Sequence, residues 1–129
     1  MSTGVPWLQV LAVSVGAAVG ALLRWAAGLA FNGAWGGFPL GTLLVNAAGG
    51  FLVGVALAGF DRTPHELLRL LIVTGFLGGL TTFSAFSGES LALLQRGAWG
   101  WALAHTFAHV VGSLACAAIG FRLMRHWLA

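Results

Sequence analysis

Residues 74–87 read Thr-Gly-Phe-Leu-Gly-Gly-Leu-Thr-Thr-Phe-Ser-Ala-Phe-Ser, with three glycines, three threonines and two serines inside a long apolar stretch. A helix that only had to cross lipid would not use such a run. Backbone released from a helix at membrane depth is tolerated only inside protein or beside a wet cavity. The run therefore predicts an interrupted transmembrane helix lined by the hydroxyls of Thr81, Thr82 and Ser84 and by Phe83 and Phe86. Phe83 and Phe86 are three apart and share a face where the helix resumes. A phenyl ring has a positive edge, so edges turned to a cavity can stabilise a dehydrated anion; the alternative is ordinary packing. Asn46, one turn after Thr42, supplies two amide donors. It can cross-link helices or donate to an anion, and sequence alone weighs these equally.

His105, His109 and Ser113 recur every four residues and form one polar stripe on the last apolar segment. Such a stripe faces other helices or water rather than lipid. Two histidines at this spacing suit a metal, but no third ligand is evident near them. Glu89, one turn past the 74–87 run, reads as an interfacial cap or the partner of an arginine. Arg24 lies well inside the first apolar segment. An intramembrane charge is a functional hypothesis by default, set against a side chain that snorkels to the interface. Either way it favours anions nearby. Cys116 is the lone cysteine and reads as a small packing residue. His65 and His126 fall in loop and tail and need no explanation.

These groups must be carried by membrane-spanning elements. The chain is 59% hydrophobic and 7% charged, against about 25% charged in soluble domains. Its six basic residues are all arginine and form no clustered stripe, which argues against nucleic-acid binding. A span needs about 20 apolar residues, and four segments qualify: 8–31, 40–60, 67–94 and 98–124. The first is too long for a signal-peptide core and reads as a retained span. The reading is one all-α domain over 1–129. Trp7, Trp35, Trp99, Trp101 and Trp127 sit near span ends, as in an interfacial belt. Four spans place both termini on one side with Arg62, Arg69, Arg122 and Arg125, against Arg96 and Arg24 opposite. So slight a bias is compatible with insertion in both orientations, and also with one orientation, termini inside. Small residues on four-residue stripes (Gly16, Gly20 and Gly28, with Arg24 on the same stripe; Gly50, Gly54 and Ala58; Gly112, Cys116 and Gly120) predict close helix packing. Four helices are few to enclose a pore, so a dimer is expected.

The segments Gly-Ala-Leu-Leu-Arg-Trp at 20–25, Pro-Leu-Gly-Thr-Leu-Leu-Val-Asn at 39–46 with Gly49-Gly50-Phe51, and Thr-Gly-Phe-Leu-Gly-Gly-Leu-Thr-Thr-Phe-Ser-Ala-Phe at 74–86 together resemble the small bacterial fluoride channels, Fluc or CrcB. The match extends over essentially the whole chain. It implies a fluoride-selective channel of the inner membrane that passively exports cytoplasmic fluoride, built as an antiparallel, dual-topology homodimer with two pores. It implies that Asn46, Phe83 and Phe86 match the pore asparagine and paired phenylalanines, with Thr42, Thr82, Ser84, His105, His109 and Ser113 completing the pore and Arg24 its vestibule. It also implies that the backbone carbonyls of Gly78 and Thr81 hold a structural sodium ion at the dimer centre. The chain departs from the family at Ala85, often Thr, and at His105 and His109, where Tyr and Ser are common. Two other classes remain in view. A small dual-topology multidrug or cation transporter would want an intramembrane carboxylate, and only Asp61, Glu66 and Glu89 are acidic. A non-transporting assembly subunit would explain the glycines but not the Thr/Ser/Phe run. No nucleophile–base pair suggests an enzyme.

Overall fold

The computed structural model describes residues 4–129, and every described element is helical. Helix α1 is Trp7–Phe31 and α2 is Leu40–Arg62. The third apolar segment, Glu66–Gln95, consists of α3 (residues 66–80) and α4 (Phe83–Gln95). Helix α5 is Trp99–Trp127. Four of these stretches, Glu66–Gln95 taken as one, are long and apolar enough to cross a membrane. Their ends lie within a few residues of the expected 8–31, 40–60, 67–94 and 98–124. Two stretches have widened, π-helical turns: Leu70–Leu77 in α3 and Ala108–Gly112 in α5. Such turns occur often at functional sites.

Glycines set the packing. In α1, a Cβ on Gly16 or Gly20 would run into the backbone of α3 around Leu71–Leu80. In α2, a Cβ on Gly50 or Gly54 would meet the Ser113 and Ala117 carbonyls of α5, and one on Gly120 would meet the Phe51 carbonyl. The four helices thus form two tight pairs, α1 with α3 and α2 with α5, held by backbone contact that only small residues permit. Gly112 does not belong to this contact, since nothing lies within 4 Å of a Cβ built there. Its place in the expected stripe is a coincidence of spacing. Val45 of α2 and Leu77 and Leu80 of α3 are buried between the pairs, with Ala27, Val53, Ile72 and Phe76 against them. Leu22, Leu23, Leu103, Phe107 and Leu114 stay exposed, as suits side chains facing hydrocarbon.

The connections carry more structure than their composition suggests. In the loop after α1, Phe38 is buried under the Trp101 and His105 rings while Trp35 stays exposed. Asn32 Oδ1 accepts the Thr42 N–H at 3.1 Å. His65, expected to need no explanation, caps the third helix: its Nδ1 accepts the Leu68 N–H at 3.1 Å. Gly97, at φ 71°, turns the chain between α4 and α5.

Candidate functional site

The site is built at the junction of α3 and α4. Thr81 (φ −88°, ψ 155°) and Thr82 (φ −152°, ψ 120°) are extended, so the helical ladder lapses there and its groups need other partners. Thr82 N–H donates to Asn46 Oδ1 at 2.8 Å, and Thr82 C=O accepts from Asn46 Nδ2 at 3.0 Å. Thr82 Oγ1 caps α4 by accepting the Ala85 N–H at 3.1 Å. In an unbroken helix the Gly78 carbonyl would take the Thr82 N–H and the Thr81 carbonyl the Ala85 N–H. Both donors are diverted here, leaving these two carbonyls without their helical partners. The Gly79 carbonyl between them accepts the Arg24 Nε–H at 3.0 Å.

Asn46 also reaches α5. Its Nδ2 lies 3.0 Å from His109 Nδ1. The two bonds to Thr82 settle which amide atom is nitrogen, and an amide nitrogen only donates. His109 Nδ1 is therefore the acceptor, and the neutral ring carries its proton on Nε2. That Nε2 and Ser113 Oγ are both buried without a hydrogen-bond partner among the described residues. Each such group costs about 1–3 kcal/mol if nothing pairs with it. Both can donate to an anion.

An aromatic stack continues the site. Phe83 and Phe86 have ring centroids 5.4 Å apart. Phe86 stacks on His105 at 5.2 Å and 11° and lies 4.8 Å from His109. Phe83 is 77% exposed whereas Phe86 is buried. An open cavity of about 530 Å³ is lined by Asn46, Thr82, Phe83, Phe86, His109 and Ser113, together with Gly78 and Thr81.

Of the nine residues expected to line one passage, six are brought together here, beside the expected sodium positions Gly78 and Thr81, and three are not. Ser84 is exposed outside this cavity, its hydroxyl 3.2 Å from Thr82 Oγ1. His105 has no exposed surface and lies behind Phe86. Its Nδ1 meets Ser90 Oγ at 2.9 Å and its Nε2 meets Glu89 Oε2 at 3.1 Å. Thr42 is also buried and donates to Glu89 Oε1. Glu89 therefore pairs with a histidine and a threonine, not with an arginine as a sequence reading suggests. Arg24 sits in a second hollow with Asn32, Thr42, Thr82 and Glu89. It does not snorkel freely, because it braces the Gly79 carbonyl. Ser90 and Phe38 are site residues that sequence reasoning passes over, and Glu89 is one to which it gives the wrong partner. The only signal for Glu89 and Ser90 is their place within a turn of the 74–87 run.

Comparison with known proteins gives this arrangement a family. The model of the family described as CrcB-like protein, Camphor Resistance (CrcB), matches residues 11–121. A curated relative from Aromatoleum aromaticum, named "Fluoride-specific ion channel FluC", is 52% identical over 119 residues, covering 91% of each chain. Relatives of the same name from Bordetella petrii (54% identical, 88% of each chain) and Pseudomonas aeruginosa (48% identical, 95% of this chain and 97% of the relative) are similar along nearly their whole length. With the matched stretch running from within the first span to within the last, and so across the Asn46–Thr82 junction, the chain belongs to the CrcB-like family.

Proposed function

We propose that this protein is a fluoride-selective channel of the bacterial inner membrane, a multi-pass protein that lets cytoplasmic fluoride leave down its gradient. The observation that carries the reading is the convergence of donors and phenyl rings on one cavity at the α3–α4 junction: among the described residues His109 Nε2 and Ser113 Oγ lie buried without a hydrogen-bond partner, in the cavity that Phe83 and Phe86 also line. Fluoride is small and tightly hydrated, so a site must replace many water contacts at once. Weak, dispersed donors can do this without trapping the ion, and conduction requires that balance of entry and release. A passage narrowed around these donors in the assembled channel would admit the larger chloride less readily.

The role of Asn46 in this scheme is to position. Both its N–H groups are engaged, one by Thr82 C=O and one by His109, so it reaches an anion only by giving up one of them. Its closer task is to hold the helix open and to orient His109. Arg24, in the neighbouring hollow, adds positive potential at an approach to the site.

The functional unit we propose is an antiparallel, dual-topology homodimer. In a single chain the cavity is open on one side and Phe83 is exposed on it; a second copy would close that side. Gly78 is exposed on the same surface, and its carbonyl and that of Thr81 have lost their helical partners. Main-chain carbonyls at broken helices suit sodium, so these residues fit a structural sodium ion held between two copies. Such an ion would supply positive charge at the dimer centre and satisfy oxygens that the break exposes. Fluoride efflux from liposomes tests the functional reading: purified protein should release fluoride at a rate far above protein-free vesicles.

A further inference from the structure

The histidines that distinguish this chain do not stand alone. Glu89, His105 and His109 bring one ligand atom each to within 4.8 Å of one another. The sequence hides this, because the third ligand comes from α4, 16 residues before His105. Two imidazoles and a carboxylate, with a fourth position open, form a set that suits a borderline divalent transition ion such as Zn²⁺. Mg²⁺ and Ca²⁺ prefer oxygen ligands. We propose that Glu89, His105 and His109 form a transition-metal site in the wall of the passage, and that its occupation blocks anion movement.

The surroundings support the ligand set. His105 Nδ1 faces the hydroxyl of Ser90 at 2.9 Å. A hydroxyl accepts as readily as it donates. The His105 proton can therefore sit on Nδ1, donating to Ser90, while Nε2 turns its lone pair to the ion. This outer partner orients the ring, as ligating histidines ordinarily require. Glu89 Oε2 is already 3.1 Å from that nitrogen, and its side chain is 21% exposed, which leaves a way in. On the other side, His109 Nε2 is buried and unpartnered.

Metal and anion compete for His109. The ion must take either the Nδ1 lone pair, displacing the Asn46 amide, or Nε2, displacing its proton. The Nε2 route removes the proton that donates to an anion; the Nδ1 route keeps it but breaks the Asn46 contact that orients the ring. A divalent charge beside Phe86 would also hold an anion too firmly for release. Zinc should therefore inhibit the flux.

Direct binding and flux separate this proposal from the channel reading on which only its inhibitory part rests. Chelator-treated, tag-free protein in detergent is titrated with Co²⁺ and followed by visible absorption. We expect a saturable band from one ion per chain, removed by Zn²⁺ and untouched by Mg²⁺. His105→Tyr and His109→Ser should each weaken Co²⁺ by no less than the about 10–100-fold that loss of an outer partner brings. His65→Ala with His126→Ala should leave binding unchanged. No band in the parent, or a band that survives in the His105→Tyr/His109→Ser double variant, would overturn the site. In liposomes, Zn²⁺ should slow fluoride release from the parent and not from His105→Tyr, whose ring lies behind Phe86 and outside the cavity. Intact Co²⁺ binding with zinc-insensitive flux would overturn the block and keep the site. Intact binding with no flux at all would count against the channel reading instead.

Discussion

The amide of Asn46 engages both backbone polar groups of Thr82, accepting its N–H at 2.8 Å and donating to its carbonyl at 3.0 Å. One side chain from α2 thus replaces, at the junction, the helical hydrogen bonds that Thr82 gives up. The remaining amide hydrogen orients His109. The helix break and the polar wall of α5 are consequently one unit.

Replacement of Asn46 by Leu removes this clamp while keeping the side chain's size. Two backbone groups and His109 Nδ1 lose partners in a partly buried place, at about 1–3 kcal/mol for each left unpaired. Thermal unfolding in detergent should fall accordingly, and fluoride flux should drop at least about tenfold, since a misplacement of about 1 Å has large effects at a preorganised site. An Asn46→Leu protein with parental stability and flux would show the clamp to be dispensable.

Phe83→Ile and Phe86→Ile keep apolar bulk and delete the ring edge. Both should reduce fluoride flux with the oligomer intact by size-exclusion chromatography. Phe86→Ile should cost more stability, because Phe86 is buried and stacked on His105 whereas Phe83 is exposed. Removing buried side-chain volume destabilises through lost burial and the cavity left behind. Parental flux in both variants would reassign the rings to packing.

The glycines divide by contact. Gly54→Ala drives a methyl into the Ala117 carbonyl of α5, and overpacking typically costs about 1–3 kcal/mol. Gly112→Ala meets nothing within 4 Å and should be neutral or slightly stabilising by helix propensity. Melting temperatures of the two variants check this, and equal values would contradict the packing of α2 on α5.

Much of this architecture is legible in the sequence. Span positions follow from apolar length alone, and glycine spacing marks the faces of α1 and α2 that meet backbone. The Thr81–Thr82 junction announces itself by hydroxyls and glycines where a plain span would have neither. What remains hidden is long-range. That Glu89 turns to His105, that Phe38 leaves a turn-rich loop to cover the same ring, and that Arg24 braces Gly79 all depend on helices meeting in space. Spacing along one helix is silent on this. The widened turns at Leu70–Leu77 and Ala108–Gly112 are likewise set by packing, for no residue type marks them. Gly112 shows the converse error, a residue of the right type at the right spacing with nothing opposite.

A sodium ion between two copies would be held by carbonyls, so no side-chain substitution removes its ligands directly. A density map of the dimer at high resolution should show a monovalent cation against the carbonyls of Gly78 and Thr81 from each chain. A water with hydrogen-bond geometry, or an empty centre, would contradict that assignment.

Selectivity for fluoride through the Asn46–Thr82–His109 junction is tested most directly by anion efflux from proteoliposomes. Vesicles loaded with equal fluoride and chloride should release fluoride rapidly and chloride no faster than protein-free vesicles. Equal release of the two anions, or release of neither, would contradict a fluoride-selective passage at this junction.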